Sequence, residues 1–432
     1  MRRLLIFPGS TLVAKEMAES LSPLPHYAIF GAGHDVDFPW LSLFEGYTNL
    51  PPIGHPLFQE KFTQLLDSRA ISHVMPANEV AIVELARLLK GTGVTLVSHP
   101  YETIVLAGSK RRTLETFRDS SFFPESFSAE TLPVRFPVFY KPDFGHSSIG
   151  TGIFKSQADL EAGHKGDFSW DEFVVTDFLP GREVTVDCFS TSDKGLLFSK
   201  ARLRKIVENG MSRHTVDFLD ESLDEIAVQI NQKLDFNGAW FFQARESVEG
   251  DFKVLEIGAR IAGASGLRRG QGVNLSHLSV LASDGIELEV VSSPVINEAI
   301  FDISGISFRG DQPFMRLYVD LDDTLILNGE INTPVLSLIE EACALDIWVA
   351  IITRAAYDPF GRLQSFGLGG YFKEVIHIRD GRSKESFIPQ ENYSILIDDS
   401  FRERKACAFR PEILAVDASA STGLGGMLVG PT

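Results

Sequence analysis

The chain has 432 residues, 44% hydrophobic and 23% charged, the balance of ordinary globular domains, which excludes a disordered, collagen-like or disulfide-stapled protein. That length implies about two to four units with sizeable cores. With 40 Lys+Arg against 58 Asp+Glu the net charge is −18, a field that repels nucleic acid and anionic membrane and leaves only local basic pockets for small phosphates.

No apolar run reaches the roughly 18–20 residues of a membrane span, and the opening MRRLLIFPGS reads as a strand rather than a leader peptide. Cys188, Cys343 and Cys407 are widely separated with no CxxC spacing, so neither a disulfide framework nor a zinc site is expected. The expectation is a cytoplasmic protein acting on small molecules, with no nucleic acid and no membrane as partner.

Residues 3–9 predict a buried strand, followed by an amphipathic helix through Met17 and Leu21 and a second strand at 27–31. A helix over 56–67, a strand over 71–77, a helix over 79–90 and a strand over 94–98 continue the alternation, which implies a parallel, doubly wound sheet. From 135 to 256 long β-rich runs predict antiparallel sheet. The polar stretch 306–314 reads as a linker. Beyond it RLYVDLD, a helix over 334–346, WVAIITR, a helix over 359–366, EVIHI, SILIDDS, a helix over 401–408 and EILAV predict a smaller parallel-sheet unit. The small-residue stretch 418–432 predicts a frayed end.

The first chemical signal lies in FYKPDFGHSSIGTGIF. Lys141 ends a strand and Gly145, Ser147, Ser148, Gly150 and Gly152 follow, a loop able to lay backbone N–H groups on phosphate oxygens while the lysine supplies charge. Glu183 follows a Pro-Gly turn, where a carboxylate can take both hydroxyls of a ribose. Arg202 and Arg204 are two apart on one strand and share a face. Gln243 and Glu256 lie on successive strand-like runs, and Arg260 follows.

In that combination and order, residues about 1–300 resemble an ATP-grasp enzyme of the branch containing carbamoyl phosphate synthase, biotin carboxylase and carboxylate–amine ligases. The resemblance implies a Rossmann-like pre-ATP-grasp domain over 1–105 and an ATP-grasp domain over 106–305, with ATP and Mg²⁺ or Mn²⁺ as cofactors. It assigns Lys110 and Lys141, with Ser147 and Ser148, to the phosphates, and Asp177 and Leu179 of the Thr176–Leu179 hinge to adenine. Glu183 falls to the ribose, Arg204 with Arg202 to the γ-phosphate, Gln243 and Glu256 to metal, and Arg260 to catalysis. The usual closing motif Glu-x-Asn-x-Arg stands here as Glu256-Ile257-Gly258-Ala259-Arg260. The implied chemistry is activation of a carboxylate by the γ-phosphoryl group, giving an acyl phosphate that an amine attacks. Arg268, Arg269 and His277 read either as an anion pocket for the substrate carboxylate or as surface charge and a capped helix start.

The second signal is RLYVDLDDTLIL, a strand ending in Asp320-Leu321-Asp322-Asp323-Thr324. Two carboxylates two apart at a strand's C-terminal end project into the crevice where open α/β sheets bind ligands. Thr353 ends a strand, Lys384 opens a helix-like segment, and Asp398-Asp399 end another strand. Residues about 315–417 thereby resemble the haloacid dehalogenase-like (HAD) phosphatases, which implies a phosphatase domain over 306–432. The resemblance makes Asp320 the nucleophile and Asp322 the acid/base. It puts Thr353 and Lys384 on the phosphoryl group, and metal among Asp320, Asp322, Asp398 and Asp399. The intervals between these motifs hold one strand–helix unit each, leaving no room for a cap domain, so cover is expected from residues 1–305.

The implied fold class is α/β and α+β multidomain. The implied function is a bifunctional enzyme: an ATP-dependent carboxylate–amine ligase coupled to a Mg²⁺-dependent phosphomonoesterase. The alternative is a kinase-like or regulatory ATP-binding unit beside a phosphatase that carries the main activity. The small-molecule partners are then a carboxylate, an amine and a phosphate ester, with a homodimer open as the assembly.

Overall fold

A computed structural model describes residues 1–34, 37–145, 149–163, 168–208, 211–302 and 305–430. The first sheet is entirely parallel. Its strands run in the order Gly46–Asn49, Tyr27–Gly33, Arg2–Phe7, His73–Pro76, Thr95–Leu96. Leu4, Leu5 and Ile6 are all fully buried, as expected of a strand covered on both faces. Helix Leu12–Leu21 starts where Thr11 Oγ1 accepts from Ala14 N at 3.0 Å, and helix Glu79–Leu88 where Asn78 Oδ1 accepts from Ala81 N at 2.7 Å.

The middle of the chain holds two antiparallel sheets. Seven strands are ordered Phe252–Gly258, Gly238–Glu246, Glu183–Thr191, Gly195–Glu208, Met211–Phe218, Ile296–Phe301, Ile306–Gly310. Helix Glu221–Lys233 closes one face of it, with Leu223, Ile226, Ala227 and Ile230 packed against Val184, Val186, Cys188 and Phe242. A smaller sheet, ordered Ser126–Phe127, Phe173–Asp177, Val138–Pro142, Gly152–Phe154, has its own core of Val138, Phe154, Leu160 and Val175.

The third unit is again wholly parallel, in the order Glu374–His377, Trp348–Thr353, Arg316–Val319, Ser394–Ile397, Ile413–Val416. Between Thr324 and Thr353 lie a two-stranded hairpin and helix Thr333–Ala344, and helix Pro359–Ser365 and one strand separate Thr353 from Lys384. No separate cap domain is inserted among these described residues.

Two expectations are corrected here. Residues 306–310 are not linker but the edge strand of the seven-stranded sheet, paired along Ile296–Phe301, because Ile306 and Phe308 alternate inward into the core. The C-terminal stretch does not fray: Ala418–Gly423 and Gly425–Met427 form short 3₁₀ turns in which Ser419, Ala420 and Leu424 are fully buried. Phe314 N donates to Met427 O at 2.9 Å and Val429 N to Phe314 O at 3.1 Å. Small residues are required by the packing, since a Cβ on Gly423 would stand 2.5 Å from the Phe308 ring. One apolar cluster runs through all three units, from Leu4 and Ile29 through Phe308 to Leu317 and Leu424.

Candidate functional site

A cavity of about 250 Å³ lies between the small sheet and the seven-stranded sheet. Lys110, Lys141, Asp177, Leu179, Glu183, Arg204, Gln243 and Glu256 all line it, so eight residues scattered over 147 positions of sequence meet at one place. Lys110 opens helix Lys110–Thr116, whose cap Ser109 also donates to Asp143 Oδ1 at 2.9 Å. The Lys110 ammonium donates to the carbonyls of Asp143 (3.3 Å) and Gly145 (3.1 Å), which aims it along the hairpin. Lys141 is buried and donates to Leu255 O at 2.6 Å. Burial pushes its pKa down to about 8, helped by Lys110 and opposed by Glu256 and Glu183. A buried lysine beside a second lysine is a site that gains from a bound polyphosphate. Burial and then Glu125 raise the Asp177 carboxyl. Ser147 and Ser148 lie outside the described residues.

Glu183 and Arg204 are ion-paired across neighbouring strands, and Arg245 approaches the other Glu183 oxygen at 3.9 Å. Arg202 lies on the wall of a second, adjoining cavity together with Arg204. It is buried with Asp187, which accepts from Arg202 Nε at 2.8 Å and from Arg268 Nε at 3.0 Å. Arg268 also pairs with Asp217 at 2.5 Å. Arg269 is held by Glu16 (3.0 Å) and Glu19 (3.5 Å) and donates to Ser419 O, while His277 is hydrogen-bonded to Tyr27 Oη at 2.8 Å. Both readings of the arginine pair are thereby corrected: Arg268 and Arg269 are neither surface charges nor an anion pocket, Arg268 being buried among partners of its own unit and Arg269 tying that unit to the first and last ones. Their acidic partners lie on distant strands and helices, which spacing along the chain does not reveal.

A second cavity, about 320 Å³, shares Arg204, Gln243 and Glu256 with the first and is closed by Thr11, Asn78, Glu79 and Arg260. Arg260 Nε donates to Glu79 at 2.7 Å, Nη1 to Ile261 O at 2.8 Å, and the guanidinium lies 5.2 Å from the centre of the Phe241 ring. Arg260 is therefore on the wall of the second cavity rather than among the groups lining the first. Thr11 and Asn78 are the caps of the two N-terminal helices, whose first N–H groups have no intrahelical partner. Glu79 was not anticipated, although Asn78 before an apolar helix is a cap signal that places the next side chain at the sheet's C-terminal edge.

Gln243 stands opposite Glu256, and Phe241 opposite Gly258, on paired strands. A Cβ at Gly258 would overlap the Phe241 ring, so an asparagine there would require the ring to move. One carboxylate and one amide suit a divalent ion held chiefly by nucleotide phosphates.

The second expected constellation also assembles. Asp320, Asp398 and Asp399 each offer an oxygen within 4.8 Å of one another, the one such group of metal-ligating side chains among the described residues. Lys384 Nζ donates to Asp320 at 2.5 Å and to Asp398 at 2.6 Å. Burial raises the Asp320 carboxyl above its ordinary range, Lys384 opposing and Asp398 adding to it, while burial and then Asp398 raise Asp399. Three carboxylates against one ammonium make a hard oxygen cradle that fits Mg²⁺. Thr353 is buried, its hydroxyl accepting from Ala355 N at 3.1 Å.

Asp322 departs from its expected place among the metal ligands: its side chain is outside the cluster and accepts from the hydroxyl of Tyr357. Asp323, which follows, turns the chain with φ +57°. Tyr357, another residue not foreseen, belongs to the C-terminal unit itself, so the group that reaches Asp322 is not supplied by residues 1–305. Burial and then Asp322 push its phenol up to about 12, which keeps it a hydrogen-bond donor.

Comparison with known proteins adds to this geometry. Residues 169–304 match the family described as ATP-grasp in the biosynthetic pathway with Ter operon. A D-alanine--D-alanine ligase of Lacticaseibacillus casei is 43% identical over 58 residues, 13% of this chain and 16% of that protein. The chain thus matches under a fifth of the length of such curated relatives. The biotin carboxylase domain of Hydrogenobacter thermophilus 2-oxoglutarate carboxylase, solved as a dimer with MgADP, ADP and bicarbonate, superposes with TM-score 0.57 at 12% identity, covering 67% of this chain and 71% of that one. L-amino acid ligase from Bacillus licheniformis gives TM-score 0.53 at 19% identity, covering 73% and 82%. The chain carries an ATP-grasp domain. No helix among the described residues is long and apolar enough to cross a membrane.

Proposed function

We propose that this chain, built around its ATP-grasp domain, is an ATP- and Mg²⁺-dependent carboxylate–amine ligase joined to a Mg²⁺-dependent phosphomonoesterase. The observation that carries the ligase reading is the pair of contiguous cavities sharing Arg204, Gln243 and Glu256. The first suits a nucleotide, with Lys110 and Lys141 on the phosphates, Asp177 and Leu179 at the base and Glu183 at the ribose. The second suits the carboxylate, between Arg260 and two helix N-termini. A carboxylate oxygen attacks the γ-phosphorus, the bond to the bridging oxygen breaks and ADP leaves. The amine then attacks the acyl carbon, phosphate departs and the nitrogen loses a proton. The protein's part is alignment and charge neutralisation. Mg²⁺ supplies screening of phosphate charge.

The esterase reading rests on the cluster of Asp320, Asp398, Asp399 and Lys384. Asp320 attacks phosphorus, the ester bond breaks and the departing alcohol takes a proton from Asp322. Water then attacks the aspartyl phosphate, Asp322 recovers the proton and phosphate leaves. Lys384 and Thr353 hold the phosphoryl oxygens.

Mass spectrometry of a metabolite extract incubated with MgATP and either wild type or Asp320→Asn tests the pair. A species seen only with the variant, heavier by one phosphoryl group than the wild-type product, is expected if the sites act in sequence. Identical product profiles would sink the relay. A second reading, in which the ATP-grasp unit binds nucleotide without turnover, draws on the overlap of Phe241 with a side chain at Gly258. Calorimetric MgATP binding without ADP release under every acceptor would favour it.

A further inference from the structure

The strands Trp348–Thr353 and Ser394–Ile397 flank Arg316–Val319 on either side, so the segments that follow them border the carboxylate cluster. Those segments place three large aromatic side chains in solvent: Tyr357 (40% exposed), Phe360 (52%) and Phe401 (39%). Tyr357 and Phe360 are three residues apart across the start of helix Pro359–Ser365, and Phe401 opens helix Phe401–Cys407. Exposed apolar rings gathered beside a polar site are a feature of ligand surfaces rather than of inert ones. The position of one is fixed by chemistry, because the Tyr357 hydroxyl donates to Asp322. In the reading above Asp322 hands its proton to the departing alcohol. The Tyr357 ring therefore stands within one phenol length of the leaving group.

We propose that Tyr357 contacts the leaving group, and that the phosphate ester taken here carries a planar ring, as a nucleoside or aryl phosphate does, rather than a compact aliphatic alcohol. This rests on the esterase reading and goes beyond it in naming the substrate class. A ring in the ester gains stacking area on Tyr357, whereas a small polyol gains none. An active site with no inserted cap leaves leaving-group recognition to its rim, which is where the Tyr357 ring stands.

Steady-state hydrolysis by the full chain with Mg²⁺ tests the proposal, using p-nitrophenyl phosphate, adenosine monophosphate and glycerol phosphate with wild type, Tyr357→Ala, Tyr357→Phe and Phe360→Ala. Wild type is expected to show KM for one or both ring-bearing esters about fivefold or more below that for glycerol phosphate, the scale of a single stacking contact. Tyr357→Ala should collapse that ratio toward one, KM rather than kcat carrying the change, and Tyr357→Phe should retain it. Preference for the nucleotide alone or for the aryl ester alone would each support a ring and separate the two sources. Equal KM for all three esters in wild type overturns the proposal. So does a Tyr357→Ala effect on kcat uniform across esters, because the tyrosine would then act through Asp322. Hydrolysis of none of the three removes the esterase reading as well, which distinguishes the two failures.

Discussion

The first and last sheets are the same object built twice. Each is five-stranded, parallel and ordered so that the first and fourth strands lie side by side at the centre. In that topology the loops after those two strands diverge and leave a crevice. In the N-terminal unit the loops carry Thr11 and Asn78-Glu79, two helix caps and one acid, and they close a cavity whose chemistry is completed by Arg260 of another unit. In the C-terminal unit they carry Asp320, Asp322, Asp398 and Asp399, and the neighbouring strand ends and turns supply Thr353 and Lys384. The topology gives a place and the residues give the reaction. One crevice borrows Arg260 from another unit, whereas the carboxylate cluster draws Asp320, Asp398, Asp399 and Lys384 from its own.

Separate substitutions should break the two independently. Asp320→Asn removes the proposed nucleophile and should cut p-nitrophenyl phosphate hydrolysis by on the order of 10⁴-fold or more, leaving ATP-dependent ADP release within experimental error. Lys141→Ala should do the reverse, lowering ADP release by about 10²–10³-fold with phosphatase activity intact. Loss of both activities in either variant, with the circular dichroism spectrum unchanged, would mean that the sites are one.

Two finer measurements sharpen the picture of the nucleotide cavity. Gly258→Asn drives a side chain into the Phe241 ring and should destabilise the fold by about 1–3 kcal/mol, read as a lowered Tm. Adding Phe241→Ala should recover part of that loss, a non-additivity expected of touching residues. The smallest effect concerns pH. Burial holds Lys141 near 8, below an ordinary lysine, so its charge is present below that pH and lost above it. Nucleotide affinity, measured by calorimetry, should therefore fall above pH 8 by up to about tenfold per pH unit. In Lys141→Arg the affinity should stay flat, because a guanidinium remains charged.

Most elements were legible because their signals are local: the strand–helix alternation of the two parallel sheets, apolar runs at Leu4–Ile6 and Ile395–Ile397, and carboxylates at strand ends. That eight of the singled-out residues would line one cavity was legible for a similar reason, since each sits on a recognisable strand, turn or helix start. What escaped depended on partners distant in sequence. Arg268 and Arg269 look like an anion pocket until Asp187 and Glu16 are seen beside them. Small residues at 418–428 spell both a loose end and a close backbone approach, and only Phe308 against Gly423 decides which. Glu79 and Tyr357 belong to no motif, and their importance comes from what the fold sets opposite them.

The buried C-terminal stretch bears on how the molecule is made. Ser419 closes the junction by accepting from Arg269 and from Asn274 Nδ2 at 3.1 Å, while Asn274 also donates to Ser20 O at 2.7 Å. Residues 418–428 are thus the keystone between segments far earlier in the chain. Until that stretch is made and docked, Arg269 lacks its bonds to Ser419 and Thr422 and the shared core stands open. Docking of this stretch, more than completion of any one unit, is then the step at which the three sheets lock together, and a product lacking it would be a natural client for chaperones and proteases.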